Sequence, residues 1–217
     1  MADHLLPLSA DEVLTTTRAV RKRLDLDRPV PLDLITECVA VAQQAPTGSN
    51  TQRWHFVVVT DQAKKEALGA IYAKAFDTYR TSPMYAGAIR TGDAARDAQQ
   101  ERVGASADYL ADVMGRAPVL VIPCVEGRIT HVSTAAGTLG SIIPAAWSFM
   151  LAARARGLGT CWTTLHLMHE QEAADVVGIP YDKVTQVLLT PVAFTKGTDF
   201  KPATRPAPDS IMHVDAW

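Results

Sequence analysis

The chain has 217 residues, of which 47% are hydrophobic and 20% charged, values that are ordinary for a soluble globular protein. Its formal net charge of -2 gives no electrostatic case for binding nucleic acid or an acidic membrane. A chain of this length can bury a large core, and no repeat, low-complexity segment or clear linker divides it. We therefore expect one α+β domain over residues 1–217.

The cysteine content favours a reducing compartment. Cys38, Cys124 and Cys161 are odd in number, and no pair has the close spacing of a metal site, so we expect free thiols in a cytoplasm. Residues 1–4 show no basic segment leading into an apolar one, so we expect no secretory leader.

An uncharged stretch, residues 133–153, approaches the length of a membrane span. It is rich in small residues and contains Pro144, and its strongly apolar residues are few. A helix of this kind is typical of the buried centre of a soluble protein. We expect a central or interface helix and no membrane contact.

The predicted elements, in chain order, are long helices separated by few strands. A capping-box pattern at Ser9 begins the first helix, Pro46 follows the end of the second, and Gly157 ends the long uncharged one. This pattern indicates a small sheet wrapped by helices. The predicted helices cover about 9–20, 32–45, 61–80, 95–114, 133–156 and 169–177, and the predicted strands cover 56–60, 117–125, 159–164 and 184–194, the last interrupted by Pro191.

Two arginines suggest an anion site. Arg18 and Arg21 are three residues apart, so on a helix both point to one side. Two guanidinium groups on one side suit a phosphate, which accepts paired hydrogen bonds. The alternative is favourable placement of positive charge at the C-terminus of a helix.

The sharpest motif is the segment 45–52, which reads Ala-Pro-Thr-Gly-Ser-Asn-Thr-Gln. Its residue types form turns whose N–H groups converge on an acceptor. An ordinary surface loop is the alternative. The segment lies between a predicted helix and an apolar strand, and it contains Asn50, the only asparagine in the chain.

Other motifs near residue 160 point to less convincing chemistry. Gly157 and Gly159 follow a helix instead of a strand, which argues against a dinucleotide-binding fingerprint. Gly-Thr-Cys-Trp faintly resembles the papain-type nucleophile segment, but His166 is closer in the chain than the catalytic histidine of that family, and a predicted strand follows instead of a helix. His166 and His169 lack further metal ligands nearby, so we expect surface or capping histidines. No Gly-x-Ser-x-Gly motif is present.

Four segments together resemble the FMN-dependent nitroreductase family in their order and spacing, from about Ser9 to Trp217. They are residues 18–21, 45–52 and 157–164, and Arg205. The family pattern Ala-Pro-Ser-x-x-Asn-x-Gln-Pro-Trp is matched at most positions. Ala19 replaces a frequent serine and Arg53 a usual proline. The matching residues are Ala45, Pro46, Asn50, Gln52 and Trp54, with Thr47 as a close substitute.

The resemblance implies an intertwined α+β homodimer with a small antiparallel-type sheet and two FMN sites at the subunit interface. It implies no catalytic acid or base and no metal. Arg205 would close over the FMN phosphate, Cys161 would be a packing residue, and the tail from about residue 196 to 217 would pack on the partner. The implied FMN-binding residues are Arg18, Ala19, Val20, Arg21, Pro46, Thr47, Ser49, Asn50, Gln52, Cys161, Trp162, Thr163, Thr164 and Arg205.

The implied activity is transfer of a hydride from NAD(P)H through the flavin to a nitroaromatic, a quinone or a related small acceptor in a ping-pong cycle. Flavin fragmentation, dehalogenation and enone reduction are alternatives on the same scaffold, and so is flavin storage without turnover. The residues that separate them should lie in the region 70–116. Candidates to line the open face are Tyr72, Phe76, Tyr79, Met84, Tyr85 and Tyr109.

Overall fold

The computed structural model describes residues 5–217, apart from the side chain of Ser133. The expectation about a leader concerns residues 1–4, which lie outside this range. The strands are β1 (Trp54–Val59), β2 (Val119–Glu126), β3 (Leu158–Thr160), β4 (Val184–Gln186) and β5 (Thr190–Phe194). The α-helices are α1 (Ala10–Thr16), α2 (Leu32–Ala42), α3 (Gln62–Arg80), α4 (Ala94–Val113), α5 (Val132–Ala155) and α6 (Glu170–Val177).

The strands form one antiparallel sheet in the order β1-β2-β5-β3, with β4 also paired to β2. β1 pairs with β2 over its full length, from Trp54 opposite Val125 to Val59 opposite Leu120. β3 lies at the other end of the sheet and pairs with β5. The expected α+β fold, a small antiparallel sheet wrapped by helices, is confirmed.

Both faces of the sheet are covered by helices, because apolar side chains project alternately from each strand. Trp54, Phe56 and Val58 of β1 belong to a core shared with α2 and α5. Val57 and Val59 belong to a second core shared with α3, α4 and α6. Burying a large aliphatic or aromatic side chain contributes roughly 1.5–3 kcal/mol, so these two layers hold the helices on the sheet.

Helix α5 is the central helix that the uncharged stretch predicts. Among the described residues, its segment Thr134–Ala155 is the one long and apolar enough, by length and composition, to cross a membrane. Ile142, Ala146, Phe149 and Ala153 are buried against α2 and the sheet. Its C-terminal half therefore packs in the core, whereas most of its N-terminal half is exposed or half-buried.

Helix α1 is shorter than predicted. The predicted capping box is present, with Ser9 Oγ accepting from the Glu12 N–H over 3.2 Å. The helix ends at Thr16 instead of near Val20, and Thr17 already has an extended backbone with ψ 130°. Consecutive threonines have low helix propensity, and Val20 is drawn into hydrogen bonding with β3.

The last predicted strand is two strands, and the break is not at Pro191. It falls at residues 187–189, where the N–H of Val187 donates to Pro123 and that of Leu189 donates to Thr163. Pro191 lies inside β5, opposite Leu120. It is tolerated because β3 ends at Thr160, so no strand lies where a donor from residue 191 would point.

Candidate functional site

The arginine segment, residues 18–21, runs alongside β3. Ala19 forms a parallel bridge with Thr160, and the N–H of Val20 donates to the Thr160 carbonyl over 2.8 Å. The expectation that Arg18 and Arg21 share a helix face is wrong, because α1 ends before them. The structure nevertheless brings this segment against the glycine segment 157–164.

The two arginines point to different partners. Arg18 is exposed, and its Nη2 donates to the carbonyl oxygen of Lys201. Arg21 is half-buried, and its Nη1 donates to Ser106 Oγ of α4 over 3.2 Å. Within residues 5–217, neither guanidinium forms an ion pair with a carboxylate. Two positive groups without an acid nearby are a suitable donor set for an external anion.

Arg21 belongs to a small polar cluster where β3 ends. Burial raises the pKa of the Cys161 thiol, and the neighbouring Arg21 guanidinium partly offsets this. Burial likewise raises the pKa of Tyr72, and the nearby Cys161 raises it further while Arg21 opposes the rise. A fully buried thiol with a raised pKa is a packing residue and not a nucleophile, as expected for Cys161.

Residues beyond β3 alternate between the core and a cleft. Thr163 is buried, and its hydroxyl donates to the Leu189 carbonyl. Trp162 and Thr164 line a cleft of about 450 Å³ with mostly apolar walls. The cleft is large enough for a small flat molecule. Its other walls include Ile129, Leu139, Ile143, Leu167 and Val187.

The loop 45–52 has a strained backbone. Ser49, Asn50 and Gln52 have φ angles of 52°, 52° and 50°, which are left-handed values that favour glycine. Such residues persist only where the surroundings impose them, and they concentrate at functional sites. Pro46, Ser49, Asn50 and Gln52 are all exposed, so the strained loop presents polar groups to the outside.

Helix α5 and internal bonds hold this loop in place. The N–H of Gly48 donates to Ser141 Oγ over 3.2 Å. The Gln52 N–H donates to Thr47 Oγ1 over 3.2 Å, and Gln52 Nε2 donates to Asn50 Oδ1 over 2.9 Å. No hydrogen bond found in residues 5–217 joins the loop to the arginine segment or to 161–164. Within one chain, the loop 45–52 is therefore not linked by hydrogen bonds to the other parts of the predicted site.

Arg205 is not hydrogen-bonded to the loop 45–52 or to the arginine segment in the described chain. It is exposed, and its Nη1 donates to the carbonyl of its neighbour Thr204 over 3.3 Å. It forms no ion pair within the part of the chain that the structure describes. All residues from 201 to 217 are exposed in the single chain, so the tail has no core of its own.

Arg154 is a residue near the site that the sequence reasoning missed. It is buried near the C-terminus of α5, where its Nε bonds to Thr16 Oγ1 over 3.2 Å and its Nη2 to the Thr198 carbonyl over 3.1 Å. Burial lowers its pKa, and the nearby Arg23 and Arg18 lower it further. Its Nη1 has no partner in the described chain. The sequence signal that could have indicated its burial is an arginine near the end of an otherwise apolar helix.

Several of the aromatic candidates in the region 70–116 are core residues. Tyr72 and Phe76 are buried, and Tyr79 and Tyr85 pack edge-to-face with centroids 5.6 Å apart. These aromatic residues mainly form core, whereas Met84 is exposed.

His166 is also placed differently from the prediction. It is fully buried instead of lying on the surface, and neither ring nitrogen has a partner among the described residues. Burial lowers its pKa from 6.5 to about 4, against the opposing effect of Glu170. No cluster of potential metal ligands occurs in the described part of the chain.

Comparison with known proteins identifies the family. The sequence profile of the Nitroreductase family matches residues 14–193, so this chain belongs to that family. A chloronitrobenzene nitroreductase from Comamonas testosteroni is 37% identical over 62 residues, which is 29% of this chain. That match spans only 26% of the relative's own length.

Solved structures share the fold. An oxidized iodotyrosine deiodinase bound to FMN and 3-iodo-L-tyrosine superposes with a TM-score of 0.72 at 20% identity, covering 95% of this chain and 99% of its own. The FMN and NADPH-dependent nitroreductase NfnB from Sphigopyxis sp. strain HMH gives 0.68 at 22% identity, covering 97% and 100%. At these identities the likeness concerns the fold alone.

Proposed function

We propose that this protein is an FMN-dependent oxidoreductase that takes a hydride from NAD(P)H and passes it to a nitroaromatic, a quinone or a related small acceptor. The observation that carries the proposal is the set of arginines without acidic partners beside the end of β3, within a chain of the Nitroreductase family. The NADPH dependence named for NfnB supports the choice of reductant.

The residues present fit FMN. A phosphate needs charge-assisted donors, and the exposed Arg18 and Arg205 have guanidinium groups free of carboxylates in the described chain. Arg21 lies deeper and donates to Ser106, and its positive charge would stabilise the N1/O2 edge of a reduced flavin ring. Backbone N–H groups around Thr163 and Thr164 would bind the N5/O4 edge.

The protein's part in the reaction is binding and orientation. Bound FMN would supply the redox chemistry, the exchange of two electrons between NAD(P)H and the acceptor. The cleft beside Trp162 and Thr164 would hold the two substrates in turn. Its apolar walls exclude water and favour a flat organic acceptor over a charged one. This scheme requires no side-chain acid or base.

We further propose that the working form is an intertwined homodimer. The loop 45–52 and the arginine segment share no hydrogen bond within residues 5–217 of one chain, and a second copy would complete each site. The exposed tail supports this arrangement, since Ile211 is 81% and Val214 73% accessible. Trp147 on α5 is also exposed and suits an interface. The three buried free cysteines support a cytoplasmic location.

Two measurements on the purified protein test the activity. Chromatography of the flavin released on denaturation should give FMN, and a main peak of FAD would refute the site as described. NADPH oxidation should then rise when a quinone is added. A yellow protein that oxidises no NADPH under either condition would be a flavin-storage protein. Halide release from a halotyrosine in place of quinone reduction would indicate a dehalogenase.

A further inference from the structure

A second cavity lies on the sheet face that carries α3 and α6, away from the proposed flavin site. Its volume is about 620 Å³, within the usual range for small-molecule sites. Its walls are formed by one face of β1, β2 and β4 and by the turn that follows α6. Its apolar floor consists of Val57, Cys124, Val177, Ile179 and Val184. None of these is a candidate cofactor residue.

Two cations stand at the mouth of this cavity. Arg53 precedes β1 and Lys183 precedes β4, and both strands flank β2. Neighbouring strands are about 4.8 Å apart, so the backbones of the two residues lie roughly 10 Å from each other. Neither side chain forms an ion pair within residues 5–217.

Backbone hydrogen bonds fix the main chain of both residues. The Arg53 carbonyl accepts from the Glu126 N–H over 2.9 Å, and the Lys183 carbonyl accepts from the Gly127 N–H over 2.6 Å. The one carboxylate among the lining residues, Glu126, lies with its Oε1 3.5 Å from His55 Nε2, a pair that is ionic only when His55 is protonated. Glu126 forms no ion pair with Arg53 or Lys183, so both cations are available to an external acid.

We propose that this cavity binds a small amphiphilic anion, an organic carboxylate or sulfonate whose apolar part covers the floor and whose acid group lies between Arg53 and Lys183. Charge complementarity at a fixed mouth and an apolar interior are the features that recognise such a molecule. This assigns a role to Arg53, the charge that stands where the family pattern has proline. The proposal does not rest on the proposed redox function, and Arg53 adjoins Gln52 of the loop 45–52.

The test uses the full-length protein with its flavin and the anionic fluorophore 8-anilinonaphthalene-1-sulfonate. Arg53→Ala and Lys183→Ala should each raise its dissociation constant about fivefold, the upper range for an exposed ion pair, and the double variant about twenty-fivefold. Lys64→Ala is the matched control, because Lys64 is exposed near the opposite end of β1. The neutral analogue N-phenyl-1-naphthylamine should respond equally in all variants. Both cations are at the surface, so the variants should fold normally.

Three results would overturn the proposal. The first is unchanged affinity in the double variant, and the second is an equal loss in Lys64→Ala. The third is binding that appears only after residues 202–217 are deleted, which would make the cavity a seat for the tail. Flavin content and NADPH oxidation are measured separately on the Arg53, Lys183 and Lys64 variants, so failure here is distinguishable from failure of the proposed function.

Discussion

Arg18, Arg21 and Arg205 have no acidic partner among the described residues, a property that they share with the buried Arg154. By contrast, Arg156 Nε lies 2.9 Å from Glu37, and Arg128 is paired with Glu170 at 2.7 Å. An arginine paired with a carboxylate has its charge already used, whereas an unpaired one is available to a ligand. The carboxylate-paired arginines are therefore structural, and Arg18, Arg21 and Arg205 are candidate ligands of the FMN phosphate.

Arg205→Ala should weaken FMN binding about ten- to a hundredfold while leaving the fold intact. A charge-assisted hydrogen bond to phosphate is worth roughly 1.5–3 kcal/mol, and the exposed Arg205 side chain hydrogen-bonds only to the neighbouring Thr204 among the described residues. Titration of the apo-protein with FMN measures the loss, and Lys201→Ala in the same tail is a control. Unchanged affinity would mean that Arg205 is an ordinary solvated residue.

His166 predicts a pH-dependent stability. Its folded pKa of about 4 lies below its ordinary value of 6.5, so the unfolded chain binds more protons between these values. Stability is full above about pH 6.5 and falls as the pH drops toward 4, by up to roughly 3 kcal/mol from this residue. In urea unfolding at pH 7.5 and pH 5, His166→Phe should lose less stability on acidification than the wild type. Equal losses would show that His166 is not the cause.

Single residues were predictable where their chemistry is local. The capping box at Ser9 and the buried, unreactive Cys161 followed from sequence. The burial of His166 and Arg154 did not, because it depends on which helix face meets the sheet and on contacts such as that of Arg154 with Thr198, distant in sequence. Sequence spacing predicts which residues are neighbours within one helix or strand, but it does not predict contacts between elements.

At the scale of elements, the loop 45–52 is the part whose conformation is least expected from its residues. Three non-glycine residues with positive φ are held by a contact to Ser141 on α5 and by side-chain bonds within the loop. A loop held in this way is preorganised, so a ligand that binds it loses little conformational freedom.

Two substitutions at Asn50 distinguish the effect of its backbone conformation from the effect of its side-chain amide. Asn50→Gly permits the φ of 52° and removes only the amide group, whereas Asn50→Ala also adds a left-handed backbone cost of roughly 1–2 kcal/mol. If the amide serves the cofactor, both variants should bind FMN more weakly, and Asn50→Ala should be the less stable to urea. Wild-type FMN affinity in Asn50→Gly would mean that the amide does not bind the cofactor and that Asn50 is present only because it can adopt the left-handed backbone of the turn.

The long helices and apolar strands were predictable because their periodicity and end signals are strong. The ends of α1 and of the last two strands were not predictable, because they are set by hydrogen bonds to other elements of the fold. Val20 bonds to Thr160 and Leu189 to Thr163, and both contacts override local propensity. The same contacts place the arginine segment beside 161–164, so the arrangement of the site depends on tertiary contacts that the sequence does not reveal.

At the scale of the whole molecule, the loop 45–52 and the arginine segment predict shared sites in a homodimer. Arg18→Ala and Asn50→Ala homodimers should each bind FMN poorly. After subunit exchange, a heterodimer contains one site with both lesions and one with neither, so activity should recover to at most about half per heterodimer. Mixing two preparations of the same variant is the control. A mixture shown by mass spectrometry to have exchanged subunits, yet as inactive as its parents, would contradict shared sites.

Anaerobic mixing of the purified yellow protein with NADPH tests the central claim most directly. The visible flavin absorbance should be lost with one NADPH consumed per subunit. After removal of the oxidised nucleotide, a quinone or nitroaromatic should restore the absorbance in the absence of NADPH. A protein that carries no FMN, or whose absorbance is unchanged by both NADPH and NADH, would contradict the proposed oxidoreductase.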